Sequence, residues 1–143
     1  MKTLKTLLIF LSITACSGDD NNPNCNFLID VNVNATINLN LPQFNQLLFN
    51  GGTAILNGQG NAGILLYRLN GETILAWDMA DPANAVTSCP AMSLQGIELT
   101  SSCGQGYKYE ILTGQSIGAN PSPCTLKPYR VQPIGNNSYV VTD

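Results

Sequence analysis

The 143-residue sequence contains no histidine, and it has few charged residues of either sign. Without histidine there is no Ser-His-Asp triad, no Cys-His pair and no imidazole ligand for a metal. Charged residues make up only 10% of the chain, so Asn, Gln, Ser and Thr must provide most of the polar surface. This balance is typical of an exported, β-rich domain.

The chain also lacks a basic cluster. Its formal net charge is −3 and its isoelectric point is about 4.6. Proteins that bind nucleic acid need lysine and arginine side chains to neutralise phosphates. The sequence therefore excludes a nucleic-acid partner.

No hydrophobic run is long enough to cross a membrane as a helix, which needs about 20 residues. Lys2 and Lys5 precede a shorter apolar segment that begins at Leu7, and this segment closes with Ile13-Thr14-Ala15-Cys16. A positive start followed by a short apolar segment indicates an export signal.

The ending of that signal resembles the lipobox of bacterial lipoproteins. The resemblance implies that residues 1–15 are a lipoprotein signal peptide and that Cys16 becomes the lipidated N-terminus, carrying acyl chains such as palmitate. Several acyl chains on one residue suffice for stable membrane anchoring. The alternative is a plain secretory peptide cut near Ala15.

Residues 16–28 are polar, contain Pro23 and show no apolar periodicity, so we expect a flexible tether before a domain at residues 29–143. Asp19-Asp20 resembles an acidic signal that sends some lipoproteins to the cell surface, although it also fits a solvated linker. We expect an outer-membrane lipoprotein, with the periplasmic or surface face left open.

Strict alternation of apolar and polar residues gives the clearest secondary-structure signal in the chain. A period of two predicts one long strand over residues 30–40, with one face buried and the other in water. The apolar members are Val31, Val33, Ala35, Ile37, Leu39 and Leu41.

Turn signals divide the rest of the domain into short apolar segments. Asn70-Gly71 separates segments 63–68 and 73–77, a pattern typical of a β-hairpin. Gly135-Asn136-Asn137 separates a last pair, 129–132 and 138–141. With no convincing helix and no repeat, the sequence predicts an all-β antiparallel sandwich or small barrel of about eight to ten strands.

The order of motifs along the domain resembles a Rieske domain, the small all-β module that carries a [2Fe–2S] centre. Two short cysteine loops flank an apolar segment, and the strand before the first loop ends in the Rieske-like pattern A-[FLW]-D. The resemblance spans roughly residues 39–141. Its elements are Ala76-Trp77-Asp78, Cys89, residues 97–99, Cys103, Tyr109, Thr113-Gly114 and residues 126–131.

A Rieske centre takes one cysteine and one histidine from each of its two loops. Here Ala91 stands where the first histidine would ligate, and Gly106 either replaces the second histidine or follows its deletion. The resemblance thus implies that Cys89, Ala91, Cys103 and Gly106 are degenerate ligand positions. We expect no metal and no cofactor, with an unusual [2Fe–2S] cluster as the alternative.

Four cysteines besides Cys16 allow three disulfide pairings, and an exported location favours disulfides over thiolates. The resemblance favours Cys89–Cys103, because the two ligand cysteines of a Rieske site converge on one iron. Cys25–Cys124 would then tie the start of the domain to its proline-rich late segment.

No residue is assigned a catalytic role. The acidic pairs Glu98/Glu110 and Asp78/Asp81 are weak candidates for glycoside hydrolysis, since acidic residues in turns usually have structural roles. A redox-active Cys89–Cys103 bridge is the one enzymatic alternative, although it lacks the C-x-x-C spacing.

Aromatic side chains offer two interpretations, an exposed binding face for a glycan or packing within the core. We favour the core for Trp77 and leave the tyrosines Tyr107, Tyr109 and Tyr129 open.

Together these patterns indicate a lipid-anchored envelope protein, not an enzyme, with a Rieske-like domain that acts as a binding or structural module. The alternative is an electron-transfer protein with a non-standard cluster or a redox disulfide. The protein or glycan partner is not specified by the sequence.

Overall fold

A computed structural model of the protein describes residues 24–143. Within this range the chain forms ten β-strands and one turn of 3₁₀ helix at Asn45–Leu48. The strands are β1 (Asn34–Asn38), β2 (Thr53–Leu56), β3 (Ile64–Arg68), β4 (Ile74–Asp78), β5 (Ser93–Gln95), β6 (Glu98–Thr100), β7 (Lys108–Glu110), β8 (Ser116–Ile117), β9 (Pro128–Gly135) and β10 (Ser138–Thr142). The predicted all-β fold is confirmed.

The strands form two antiparallel sheets. The larger has six strands in the order β1-β10-β9-β4-β3-β2, and the smaller has four in the order β5-β6-β7-β8. Within the large sheet, β4 and β9 share only two register pairs, so two three-stranded halves meet there at a narrow seam. The small sheet lies between β4 and β9 in sequence and carries both of the cysteine loops.

Strand β3 separates two hydrophobic cores. Its neighbouring residues point to opposite sides of the sheet, so Ile64 and Leu66 enter one core while Leu65 enters the other, and all three are fully buried. The first core packs against the large sheet, on the side of β3 that carries Ile64 and Leu66. The second lies between β3–β4 and the small sheet, where its remaining buried members are Met79, Met92, Leu99, Tyr109, Ile111 and Leu126.

The predicted strand over residues 30–40 is only partly correct. Val33, Ile37 and Leu39 are buried as expected, but β1 covers only residues 34–38, and Leu41 is 46% exposed. The strand stops because the side chain of Asn38 accepts a hydrogen bond from the N–H of Asn40, at 2.9 Å. This local bond competes with the ladder and turns the chain.

Both predicted hairpins are present, with different turns. Asn136 and Asn137 have φ values of 50° and 54° and form a two-residue connection whose twist matches the strands. The Asn70-Gly71 connection is longer, residues 69–73, and the Asn70 side chain accepts hydrogen bonds from the N–H groups of Glu72 and Thr73.

Arg68, at the end of β3, is buried without a carboxylate partner among the described residues. Its guanidinium donates to the carbonyls of Leu47 and Gly71, at 2.7 and 3.2 Å, and to the Tyr139 hydroxyl, at 3.1 Å. It therefore joins the 3₁₀ turn, the 69–73 connection and β10. This role was not predictable from the sequence.

We expect Arg68→Lys to lower the free energy of unfolding by about 1–3 kcal/mol, because an ammonium cannot satisfy three acceptors that fit a planar fork. Arg130→Lys is the matched control on an exposed position and should change it by less than about 0.5 kcal/mol. Urea denaturation of both variants measures the difference. Equal effects would contradict the structural role of Arg68.

Candidate functional site

The two cysteine loops meet at one end of the large sheet. The first, residues 79–92, leaves β4 for the small sheet, and the second, residues 101–107, joins β6 to β7. Cys89 and Cys103 form a disulfide with 5.8 Å between their Cα atoms. Cys89 is buried, whereas Cys103 is half-buried. The bridge thus connects the two loops directly.

Cys25 and Cys124 form the second disulfide, with a Cα–Cα distance of 5.5 Å. Both bridges have the pairing that the sequence analysis favours. The second one fastens the chain upstream of the expected domain boundary at residue 29, so residues 25–28 are held against the domain. Cys16 and the predicted signal peptide lie outside the described residues.

Neither of the two positions at which the Rieske resemblance implies a lost histidine offers a side-chain metal donor. Ala91 is exposed, and Gly106 is exposed with φ +66° in a turn that its N–H closes by donating to the Cys103 carbonyl at 2.9 Å. A [2Fe–2S] centre needs four ligands, and the two cysteine sulfurs of these loops are bonded to each other. The residues present therefore do not fit the cluster that the Rieske resemblance implies.

No group of three or more Cys, Asp or Glu side chains within residues 24–143 is arranged to hold a metal ion. In the same range, no helix is long and apolar enough to span a membrane.

Asp78 ends β4 as a fully buried carboxylate. One oxygen accepts from the Tyr129 hydroxyl, at 2.7 Å, and from the backbone and side-chain N–H groups of Asn61, at 2.8 and 2.9 Å. The other accepts from the N–H groups of Ala62 and Ala80, at 3.2 and 2.9 Å. Five donors replace the water that this carboxylate loses on burial.

Gly60 completes the Asp78 site because the loop passes too close for a side chain. Its φ is +68°, and a Cβ atom there would lie 2.8 Å from the Asp78 carboxylate and 3.0 Å from the Tyr129 hydroxyl. Only glycine combines this backbone conformation with this approach.

Asp81 is buried in the same way inside the first cysteine loop. It accepts from the Tyr109 hydroxyl at 2.9 Å, from the Ala83 N–H at 2.9 Å and from the Asn84 side chain at 2.7 Å. Tyr109 stands on β7, so Asp81 ties the loop to the small sheet. The Asn84 side chain also lies against Gly104 of the second loop.

The acidic residues considered for glycoside hydrolysis form hydrogen bonds or ion pairs within the fold. Asp78 and Asp81 are buried and accept hydrogen bonds both from their own loop and from other parts of the fold. Glu98 and Glu110 do face each other across β6 and β7. However, Glu98 forms an ion pair with Lys108 at 3.3 Å, Glu110 accepts from the Thr113 hydroxyl, and neither lines the two grooves described below.

Most of the aromatic residues considered as a binding face pack within the fold instead. Trp77 packs against the second core, donates to the Ile111 carbonyl at 2.7 Å and covers Gly114, where a Cβ would lie 2.6 Å from its ring. Tyr109 and Tyr129 are buried. Tyr107 is half-buried, because it packs against the second core and also lines a surface groove.

Two open grooves lie beside the loops. One of about 350 Å³ runs along the second cysteine loop, between residues 105–108 and 117–120, and Tyr107 lines it. The other, of about 410 Å³, follows the Cys25–Cys124 bridge and includes Pro82, Asp30 and Lys127. The hydrogen bond from Lys127 lowers the pKa of Asp30.

Comparison with known proteins assigns the chain to no family. No family model and no curated protein matches the chain. One solved structure with similarity is described as a complex of reduced oxygenase and oxidised ferredoxin in carbazole 1,9a-dioxygenase. It is 18% identical, with a TM-score of 0.42, and the match covers 65% of this chain and 82% of that one.

Burial raises the pKa of both Tyr109 and Tyr129 well above their usual value of 10.0, and the adjacent carboxylates raise it further. Because each folded-state pKa is above that of the unfolded chain, the two protonated hydroxyls stabilise the fold fully below pH 10.0. This contribution to the free energy of unfolding is lost as the pH rises further. We expect the free energy of unfolding to fall above that pH.

Removing the Tyr129 or the Tyr109 hydroxyl tests the hydrogen bonds to Asp78 and Asp81. Tyr129→Phe and Tyr109→Phe should each lower the free energy of unfolding at neutral pH by about 1.5–3 kcal/mol, because each hydroxyl donates a hydrogen bond to a buried carboxylate. Each variant should also lose part of the alkaline instability. Tyr67→Phe is the control, since no side-chain hydrogen bond of Tyr67 occurs in residues 24–143. Denaturation across a pH series that showed no difference among the three would refute the assignment.

Proposed function

We propose that the protein is a lipid-anchored module of the bacterial cell envelope whose Rieske-like domain carries no iron and acts in binding or structure. The observation that carries this proposal is the Cys89–Cys103 disulfide. It places both cysteines that correspond to cluster ligands in a covalent bond with each other. The bridge takes over the task of holding the two loops together.

The donor chemistry around the bridge supports the iron-free interpretation. Ala91 presents a methyl group and Gly106 presents no side chain, so each loop retains one of its two ligands at most. The Ser101 hydroxyl fills the space beside the sulfurs, 3.8 Å from the Cys89 sulfur, and accepts a hydrogen bond from the Cys103 N–H at 3.2 Å. These contacts suit a permanent cross-link between loops.

A binding or structural role is favoured over catalysis because every acidic residue that we considered as a catalytic group is engaged elsewhere. Asp78 and Asp81 fix the loops from within, while Glu98 and Glu110 bond to neighbouring side chains. The rigid loops present a surface to which a partner can bind, and this surface includes the groove beside Tyr107. The partner is a protein or a glycan.

The anchor follows from the lipobox resemblance at Ile13–Cys16. The chain enters the domain at the Cys25–Cys124 bridge, where Cys25 lines the same groove as Pro82 of the first cysteine loop. Cross-linking of the chain at its point of entry suits a domain that is held by its N-terminus. An outer-membrane location is the one that we propose.

Iron and sulfide analysis, with a visible absorption spectrum, tests the iron-free proposal on protein purified from its native envelope. We expect a colourless protein without stoichiometric iron or acid-labile sulfide. A brown sample that contains both would establish the electron-transfer alternative instead. Reconstitution with iron and sulfide under reducing conditions gives a further check, in which Cys89→Ser should behave like the unaltered protein.

Cys16→Ser tests the anchor. Without the thiol no thioether to lipid can form, so we expect the variant to lose its fatty-acid label and to move from the membrane fraction to the soluble fraction. Ser17→Ala is the matched control beside the site and should remain in the membrane fraction. A Cys16→Ser variant that kept its label would overturn the lipoprotein assignment without affecting the iron-free interpretation.

A further inference from the structure

The sequence contains three Asn-Gly pairs, at residues 50–51, 57–58 and 70–71. In such a pair the backbone nitrogen of glycine can attack the asparagine side chain, because glycine presents no Cβ to hinder the approach. Asparagine is accordingly among the thermolabile residues of proteins. The three pairs of this protein differ sharply in how the fold holds their reacting groups.

Two of the pairs are protected by hydrogen bonds. At 50–51 the attacking N–H of Gly51 donates to the Arg68 carbonyl at 2.7 Å, so it must break that bond before it can react. At 70–71 the side-chain oxygen of Asn70 accepts from Glu72 and Thr73, at 3.0 and 2.9 Å. The amide that would be attacked is therefore held in place.

The pair at 57–58 has no such protection. Both residues are exposed in the connection between β2 and β3, and no hydrogen bond within residues 24–143 engages the Asn57 side chain or the Gly58 N–H. Gly58 has φ +72°, and a Cβ there would meet nothing within 4 Å. The loop tip is thus open to water and free of steric hindrance.

We propose that Asn57 is a self-modifying site that converts to aspartate and isoaspartate in the folded protein. The Gly58 nitrogen gives up its proton to solvent base and bonds to the Asn57 side-chain carbon, and the side-chain nitrogen leaves as ammonia. Water then opens the resulting ring at one of its two carbonyls. The step consumes one water and releases one ammonia, with no oxidation or reduction.

The conversion acts on the Asp78 network because the same loop continues to Gly60 and Asn61. Isoaspartate lengthens the main chain at residue 57, four residues before Asn61. Asn61 donates twice to Asp78, and it also exchanges hydrogen bonds with the backbone of Ile29, at 3.0 and 3.1 Å. Displacing Asn61 thus loosens both the buried carboxylate and the segment by which the chain enters the domain.

Peptide mapping of the folded, full-length protein after incubation tests the proposal, with an isoaspartate-specific methyltransferase as the second readout. We expect Asn57 to convert at least about tenfold faster than Asn50 or Asn70, because one protecting hydrogen bond corresponds to a factor of about ten. The rate should rise from neutral to mildly alkaline buffer. In urea-unfolded protein the three rates should become similar, because the protection is lost. Equal rates in the folded protein, or no conversion at Asn57, would overturn the proposal.

The consequence for stability has its own control. After the same incubation the unaltered protein should show a lower melting temperature in proportion to the isoaspartate formed, whereas Asn57→Ser should keep its initial value. An equal fall in the melting temperature of Asn57→Ser would show that the loss of stability does not come from conversion of Asn57. Neither outcome depends on the anchor or on the absence of iron.

Discussion

The structure depends on the burial of two carboxylates where the chain passes from one sheet to the other. An ionised group that loses its water without compensation is very costly, so Asp78 and Asp81 can be buried only if the surrounding loops supply donors. They do so from four directions: the 57–63 loop, β9, β7 and the first cysteine loop itself. The carboxylates thereby fix the position of the small sheet on the large one.

This constraint also explains how hydrogen bonds within the protein give the cysteine loops a defined conformation. The first loop is held from inside by Asp81 and Asn84, and the second is a short hairpin connection closed by left-handed glycines. The Cys89–Cys103 bridge then needs only to join two loops that are already shaped. On the loop-entropy account such a bridge contributes about 3 kcal/mol, and the longer Cys25–Cys124 loop about 4.7 kcal/mol.

Local patterns in the sequence were sufficient to predict several of the strands, although not the short strands β5 and β8. The alternation of Val33, Ile37 and Leu39 identified the buried face of β1, and Asn136-Asn137 identified the last hairpin, because both depend only on neighbouring residues. The end of β1 was predicted wrongly, since the Asn38 side chain competes with the ladder in a way that apolar periodicity does not report.

The non-local interactions could not be predicted from the sequence. Asp78 and Asp81 read as ordinary turn residues, and nothing near them in sequence indicated that Tyr129 and Tyr109 are their donors, 51 and 28 residues away. Arg68 likewise gave no sign of burial, because its three acceptors come from separate parts of the chain. The cysteine pairs were the exception, since a family resemblance supplied the distance that the sequence itself lacks.

The central claim is that a disulfide between Cys89 and Cys103 joins the two cysteine loops. Mass-spectrometric mapping of non-reduced, alkylated peptides from protein isolated under exclusion of oxygen tests it most directly. The account predicts one linked peptide that contains Cys89 and Cys103 and a second that contains Cys25 and Cys124. Recovery of Cys89 and Cys103 as alkylated free thiols, with the other bridge intact, would contradict it.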